Sequence, residues 1–308
     1  MRSVVVIGAV NMDIGAVSSA PLVERDSNPG RVGTSLGGVG RNIAHNLCLL
    51  GVDTAMVTVL GDDAFAAAIR RGAEEIGLDL SHSAVIPGAR TSTYVYLSQP
   101  DGDMALAVSD MDIYAHMTPE YLAERLDFIN GAAMVVLDAN LPEESIVWLC
   151  DHVTVPIVAD PVSTVKAKKF QPVLGKLTAL KPNRLEAERL SGLPILDLVD
   201  AGRAAEKLLE TGLKQVYISL SSDGIFAANH CGERAYFPCP AVKIVNATGG
   251  GDAMVAALTA SLLRGEGLKR TAQNAICAGA FASMADTTIQ PALSWENIER
   301  LRESEEWK

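Results

Sequence analysis

Positive charge is in short supply in this sequence. Lys and Arg number 26 against 37 Asp and Glu, a net charge of −11. A protein that holds a nucleic-acid polymer or an anionic membrane surface needs the opposite balance, so neither is expected as its main partner. A nucleotide at a local site is still compatible, because helix N-termini and Mg²⁺ supply positive charge there. Cysteine is scarce too. Cys48, Cys150, Cys231, Cys239 and Cys277 make an odd set with no CxxC pair. That argues against a disulfide framework and against a structural zinc site. Cys48 and Cys277 fall inside apolar helical patterns and read as core fillers. No apolar run reaches the roughly 18 residues that cross a bilayer. The run Ser3 to Val10 is too short for a signal peptide and lacks its flanks. The expectation is a soluble, cytoplasmic protein. Internal repeats, low-complexity tracts and flexible linkers are also missing.

Apolar residues, by contrast, are plentiful. They make up 48% of 308 residues, with 20% charged, enough to bury a sizeable core. Strand-like runs alternate with helical patterns. Val4 to Ile7 is continuously apolar, as in a strand buried on both faces. Val39 to Leu50 follows as a helix, with Ile43, Leu47 and Leu50 on one stripe and Gly51 as its stop. Ala55 to Leu60 reads as a strand and Asp63 to Ile76 as a helix. Later strands are expected at Met134 to Leu137, Pro156 to Ala159 and Val216 to Ile218. Helices are expected at Pro142 to Cys150, Arg184 to Leu190, Val199 to Thr211, Asp252 to Leu263, Lys269 to Met284 and Trp295 to Arg302. This alternation predicts an α/β fold: a doubly wound, mainly parallel sheet flanked by helices, in one domain over residues 1–308.

Two segments break the rhythm. Ile14 to Leu36 is rich in Gly, Pro and Ser. Thr91 to Leu97, a Pro100-Asp101-Gly102 turn and Met104 to Val108 form an antiparallel hairpin pattern. These insertions, at about 14–36 and 90–115, are expected to build a small β-sheet lid.

Four short stretches carry chemistry. Thr248-Gly249-Gly250-Gly251-Asp252 precedes a helix apolar nearly all round, hence buried. Its first N–H groups lack internal partners and point outward with the positive end of the helix dipole. Glycines let a phosphate approach them closely. Taken alone, the stretch fits either an anion hole with a carboxylate base or a capped loop. Gly37-Gly38 with Asn42 opens the early helix and could equally be a tight turn. Asn11 and Asp13 follow the first strand, where open α/β sheets bind ligands. Asp13 could accept hydrogen bonds from a sugar diol, or be an ordinary loop residue. Asn183 and Glu186 share a face at a helix start. They could organise Mg²⁺, or form a capping box.

In this order along the chain, these motifs resemble the ribokinase, or PfkB, family of sugar and nucleoside kinases. The resemblance implies an ATP-dependent transfer of the γ-phosphoryl to a hydroxyl. In it Asp252 takes the proton and the N–H groups of Gly249, Gly250 and Gly251 hold the transferring group. It further implies Asn183 and Glu186 at Mg²⁺, and Asn11, Asp13, Gly37, Gly38 and Asn42 on the ribose, with Asn140 near the same end. Thr248, Ser219, Ser221 and Gly224 would lie at the ATP phosphates, and Asn274 and Ala278 at the adenine. Within the family, Asp26 to Gly30, Gly37 to Ala44, Ser109 to Ile113 and Leu180 to Glu188 are most similar to pseudouridine kinases. That likeness puts Ser27, Asn28 and an Asp110–Asp112 strand on the nucleobase. Another nucleoside or sugar, such as uridine, adenosine or ribose, is the alternative acceptor, and a non-catalytic nucleoside sensor the alternative class. A dinucleotide-dependent oxidoreductase is disfavoured, since no GxGxxG follows the first strand. Three positions depart from the family pattern. Gly250 replaces Ala and keeps its N–H. Ser221 stands at a usual Gly. Asn246 replaces an Asp that often helps hold a monovalent cation, which puts K⁺ activation in question. The resemblance also implies a homodimer joined through the lid.

Overall fold

The computed structural model describes residues 3–304. An eight-stranded sheet forms its centre. From one edge to the other its strands are Arg234–Phe237, Ile225–Asn229, Gln215–Ser219, Ala179–Leu180, Ile157–Asp160, Met134–Asp138, Val4–Ile7 and Thr54–Val57. The six from Gln215–Ser219 to Thr54–Val57 run parallel, and the other two add an antiparallel edge. The expected mainly parallel sheet is therefore present. The short Ala179–Leu180 strand and the antiparallel edge had no clear sequence signal. Two residues are too few to show a period, and Ile225–Asn229 fits helix and strand alike.

The Val4–Ile7 run is apolar throughout because both faces are covered. Val4 and Val6 point into a layer with Ile43, Leu47, Val255 and Leu258. Val5 and Ile7 point into the opposite layer with Ile146, Leu149, Ala201 and Ala205. All four strand residues are fully buried, at about 1.5–3 kcal/mol per large apolar side chain. The helices Val39–Leu49 and Gly250–Leu263 thus lie on one face, and Glu143–His152 and Leu198–Leu209 on the other. Helix bounds fall within a residue or two of their sequence signals.

One expected strand is really two. Ala55 to Leu60 breaks at Thr58: Thr54–Val57 completes the main sheet, while Val59–Gly61 pairs with Ala84–Ile86. The break is anchored from outside. The Tyr121 hydroxyl donates to the Thr58 carbonyl at 2.7 Å, and Ala84 N–H donates to the same oxygen at 3.1 Å.

The lid is a separate four-stranded sheet ordered Gly30–Gly37, Asn11–Ser18, Thr93–Ser98 and Met104–Asp110. Its first strand starts at Asn11, so Asn11 and Asp13 are strand residues and not loop residues. The hairpin is present, with a bulge at Leu97/Ser98. Register puts Val32, Val95, Leu106 and Val108 on one lid face, all exposed.

Candidate active site

The Gly250–Leu263 helix is capped by Gly249 at φ 85, a left-handed backbone that glycine adopts without strain. A Cβ at Gly249 would also run into the Thr288 carbonyl. The first turn carries Asp252, almost fully buried, and the Asn42 amide donates to its Oδ2 at 2.9 Å. The Arg41 guanidinium donates to Asn42 Oδ1 at 3.3 Å, which keeps the amide nitrogen turned toward Asp252. Burial pushes the Asp252 carboxyl up to about 7, with Asp160 adding to the rise and Asn42 and Lys181 opposing it. Such a group exchanges protons near neutrality, as a general base must.

The wall on the lid side is pinned by a residue the motifs did not flag. Asp138, fully buried, accepts from the N–H groups of Ala9, Gly40 and Asn140, each at 2.8 Å. It thereby ties together the turn after the Val4–Ile7 strand, the start of the Val39–Leu49 helix and the turn after its own strand. The Tyr114 hydroxyl takes the Val10 N–H at 2.7 Å and donates to the Val10 carbonyl at 2.6 Å. Asn11 Oδ1 accepts from Ser92 at 2.9 Å. Asp13 Oδ1 is buried and has no hydrogen-bond partner among the described residues, so it is ready to accept from a ligand hydroxyl. Burial pushes Asp13 up to about 6 against the opposing charge of Arg41. A side chain at Gly37 would overlap the Asp13 carboxylate, which accounts for the glycine. Gly38 then caps the Val39–Leu49 helix. Asn140 Oδ1 accepts from the Lys166 ammonium at 2.5 Å.

On the other side, Asn183 and Glu186 do form a capping box. Asn183 Oδ1 takes the Glu186 N–H at 2.9 Å, and Glu186 Oε2 takes the Asn183 N–H at 2.8 Å. The box leaves Glu186 Oε1 for another partner. Ser219 lies beside them, its N–H donating to the Pro182 carbonyl at 2.9 Å. Ser221 has φ 56, which explains why a glycine suits that position. Gly224 lies against the Phe237 carbonyl at φ 103. Thr248 is exposed, and its N–H donates to Asn246 Oδ1 at 2.9 Å. Beneath, Lys181 Nζ lies 3.3 Å from Asp160 Oδ2, both side chains buried. Burial pulls the Lys181 pKa down, but the carboxylates of Asp160, Glu186 and Asp252 outweigh it and hold the ammonium above its ordinary value.

The structure therefore gathers Asn11, Asp13, Gly37, Gly38, Asn42, Asn140 and Asp252 by direct contact or through shared partners, and sets Asn183, Glu186 and Ser219 side by side. Four expectations need correction. Asn274 is fully buried and spent internally: its amide donates to Ser261 and Glu266 at 3.0 and 2.6 Å, and its oxygen accepts from Arg302 at 2.7 Å. It joins three structural segments and has no free group for adenine. Ala278, also fully buried on the same helix, faces the core. Asp112 is not in a strand, because the lid strand ends at Asp110 and Asp112 opens a short 3₁₀ turn, Asp112–His116. Asp110 itself pairs with Arg90 at 3.1 Å. Ser27 and Asn28 lie in the loop beyond Ser18↔Gly30, at the opposite end of the ladder from Asn11↔Gly37. A strand of this length puts them about 23 Å away within one chain. Asn28 is moreover bonded within that loop, to Val23 and Asp26. Asp138, Asp160, Tyr114 and Lys181 were missed. A charged residue ending an apolar strand, as in Leu137-Asp138 and Ala159-Asp160, was the available signal.

Against known proteins, residues 1–294 match the model of the pfkB family carbohydrate kinases. The chain is 35% identical over 304 residues to the pseudouridine kinase of Escherichia coli K12, covering 98% of this chain and 97% of that one. Among solved structures, a carbohydrate kinase from Agrobacterium tumefaciens superposes with a TM-score of 0.86 at 25% identity, covering 98% of this chain and 97% of that one. Arabidopsis thaliana ribokinase complexed with ribose and ATP does so at 0.85 and 23%, covering 98% and 99%, a likeness of fold.

Proposed function

The chain belongs to the PfkB family of carbohydrate kinases, and on that premise we propose that it phosphorylates pseudouridine at the ribose 5′-hydroxyl, using ATP. The products are pseudouridine 5′-phosphate and ADP. A sugar or nucleoside kinase is the family reading. The observation that carries the chemistry is Asp252, buried at a glycine-led helix start and held 2.9 Å from the Asn42 amide. The choice of pseudouridine is supported by the E. coli relative, matched nearly end to end.

Phosphoryl transfer needs positioning and charge stabilisation more than covalent chemistry from the protein. Asn11, Asp13 and Asn42 orient the ribose. Asp252 removes the hydroxyl proton as the new O–P bond forms and the bond to ADP breaks. The N–H groups of Gly249, Gly250 and Gly251 receive the phosphoryl oxygens. Among the described residues no three acidic, His or Cys side chains cluster as a metal cage. Mg²⁺ commonly takes one or two carboxylates plus phosphates and water, and the free oxygen of Glu186, braced by Asn183, fits that need. When bound, Mg²⁺ neutralises charge on the ATP phosphates. Asn246 donates to the Asp286 carbonyl at 3.3 Å where the family pattern has an Asp, and the use of K⁺ is tested by comparing turnover with and without it. No helix among the described residues is long and apolar enough to cross a membrane. An ATP-dependent reaction suits the cytoplasm, where ATP is abundant.

The exposed apolar lid face of Val32, Val95, Leu106 and Val108 supports a homodimer through the lid, since a second copy offers a matching sheet face. The test of substrate is ADP release with pseudouridine, uridine, adenosine, ribose and fructose. A preference for pseudouridine is expected. A clear preference for any other acceptor overturns that choice and leaves the kinase.

A further inference from the structure

Lys181 has no part in the scheme above, yet it is buried at the centre of the site. It follows the Ala179–Leu180 strand, and its N–H donates to the Ala159 carbonyl at 3.1 Å. Its side chain is 6% exposed, with the ammonium 3.3 Å from Asp160. The ammonium also abuts the catalytic helix: a Cβ built on Gly251 would lie 3.2 Å from Nζ. Gly251 does not have the positive φ that demands glycine. Alanine would suit a helix better, so this glycine keeps the face beside the ammonium open.

The charge balance is uneven. Asp138, Asp160, Glu186 and Asp252 converge on the site floor, all buried, and ATP brings further negative charge. The neighbouring cations are engaged elsewhere. Lys166 donates to Asn140, Lys169 to the carbonyls of Ala139 and Leu141, and Arg184 pairs with Asp223 at 2.5 Å. An ammonium has three protons, and among the described residues Asp160 is the one carboxylate within ion-pair distance of Lys181.

We propose that Lys181 is a catalytic cation of the phosphoryl transfer, aimed by Asp160 and facing the γ-phosphoryl as it crosses the first turn of the Gly250–Leu263 helix. This rests on the reading that the N–H groups of Gly249, Gly250 and Gly251 receive that group. Charge on the phosphoryl oxygens then meets a fixed ammonium as well as backbone dipoles. Lys181 needs no reorganisation during the step, because Asp160 already holds it in place.

The test uses the full chain and the best acceptor from the ADP-release panel. Lys181→Met is compared with Asp160→Asn/Lys181→Met, which removes both buried charges and so preserves folding if the single variant does not fold. Turnover, ADP affinity, and inhibition by ADP with aluminium fluoride plus acceptor are measured. Turnover is expected to fall at least 100-fold in both variants. Affinity for the aluminium fluoride complex should fall at least 30-fold, with ADP affinity kept within threefold. Lys181→Arg should keep at least a tenth of the rate. Near-normal turnover in the double variant overturns the proposal, as does equal weakening of ADP and the aluminium fluoride complex. Normal turnover in Asp252→Asn is a separate result: it removes the base but leaves the Lys181 comparison readable.

Discussion

The amide of Asn42 donates to Oδ2 of Asp252 at 2.9 Å, joining two helix starts 210 residues apart in the chain. In the proposed reaction one helix begins at the acceptor wall and the other at the phosphoryl site, and the bond would hold the Asp252 carboxylate against the hydroxyl it deprotonates. Asp252→Asn keeps the shape and removes the proton acceptor. Steady-state kinetics should show kcat lower by about 10²–10⁴ and both KM values within about threefold. Turnover close to wild type would exclude Asp252 as the base.

The pH dependence follows from burial. Asp252 sits at about 7 and must be deprotonated to act, so kcat/KM should fall as pH drops through about 7. Asp13 sits at about 6 and must be ionised to accept two hydroxyls, so the slope should steepen further below that pH. A profile flat down to pH 5 would contradict both assignments.

Asn42→Ala tests the same pair from the other side. The lost donor favours the carboxylate form of Asp252, so its removal raises that pKa further. The acid limb should move up by about one unit, the range of a charged hydrogen bond. An unmoved limb would mean the contact is idle in solution.

Gly249→Ala puts a side chain on a left-handed backbone and against the Thr288 carbonyl. Stability should drop by about 1–3 kcal/mol, seen in urea unfolding, and activity should fall more than the folded fraction does. Full activity in a fully folded variant would show that the helix start does not shape the anion hole.

The lid face is tested by charge. Leu106→Glu/Val108→Glu places two carboxylates on the exposed apolar row. Light scattering should give a dimer for the wild type and a monomer for the variant. A monomeric wild type would end the proposal of a lid-joined dimer.

Some of this site could be read along the chain, because its cause is local. Val4–Ile7 is continuously apolar, Gly51 stops a helix, and three glycines precede Asp252. Each is a property of neighbouring residues and survives without the rest of the fold. The family motifs added an order to those local signals. Asn274 shows where local reading fails: its residue type suits a ligand contact, but its helix turns it toward Ser261, Glu266 and Arg302. Ser27 and Asn28 show the same limit at the lid, where the length of a ladder carries them away from the cleft.

The sequence by itself determined the alternating layers, the lid insertions and the glycine-rich start of the Asp252 helix. Tertiary structure alone decided the neighbours of Asp252. Asp138, Asp160 and Lys181 each end or follow a different strand, and they meet because those strands lie side by side in the sheet. Strand order is set by long-range hydrogen bonding and by burial on both faces, and no local pattern encodes it. The same packing removes Asp252 from water and raises its pKa to about 7, turning a helix-start carboxylate into a base suited to neutral pH.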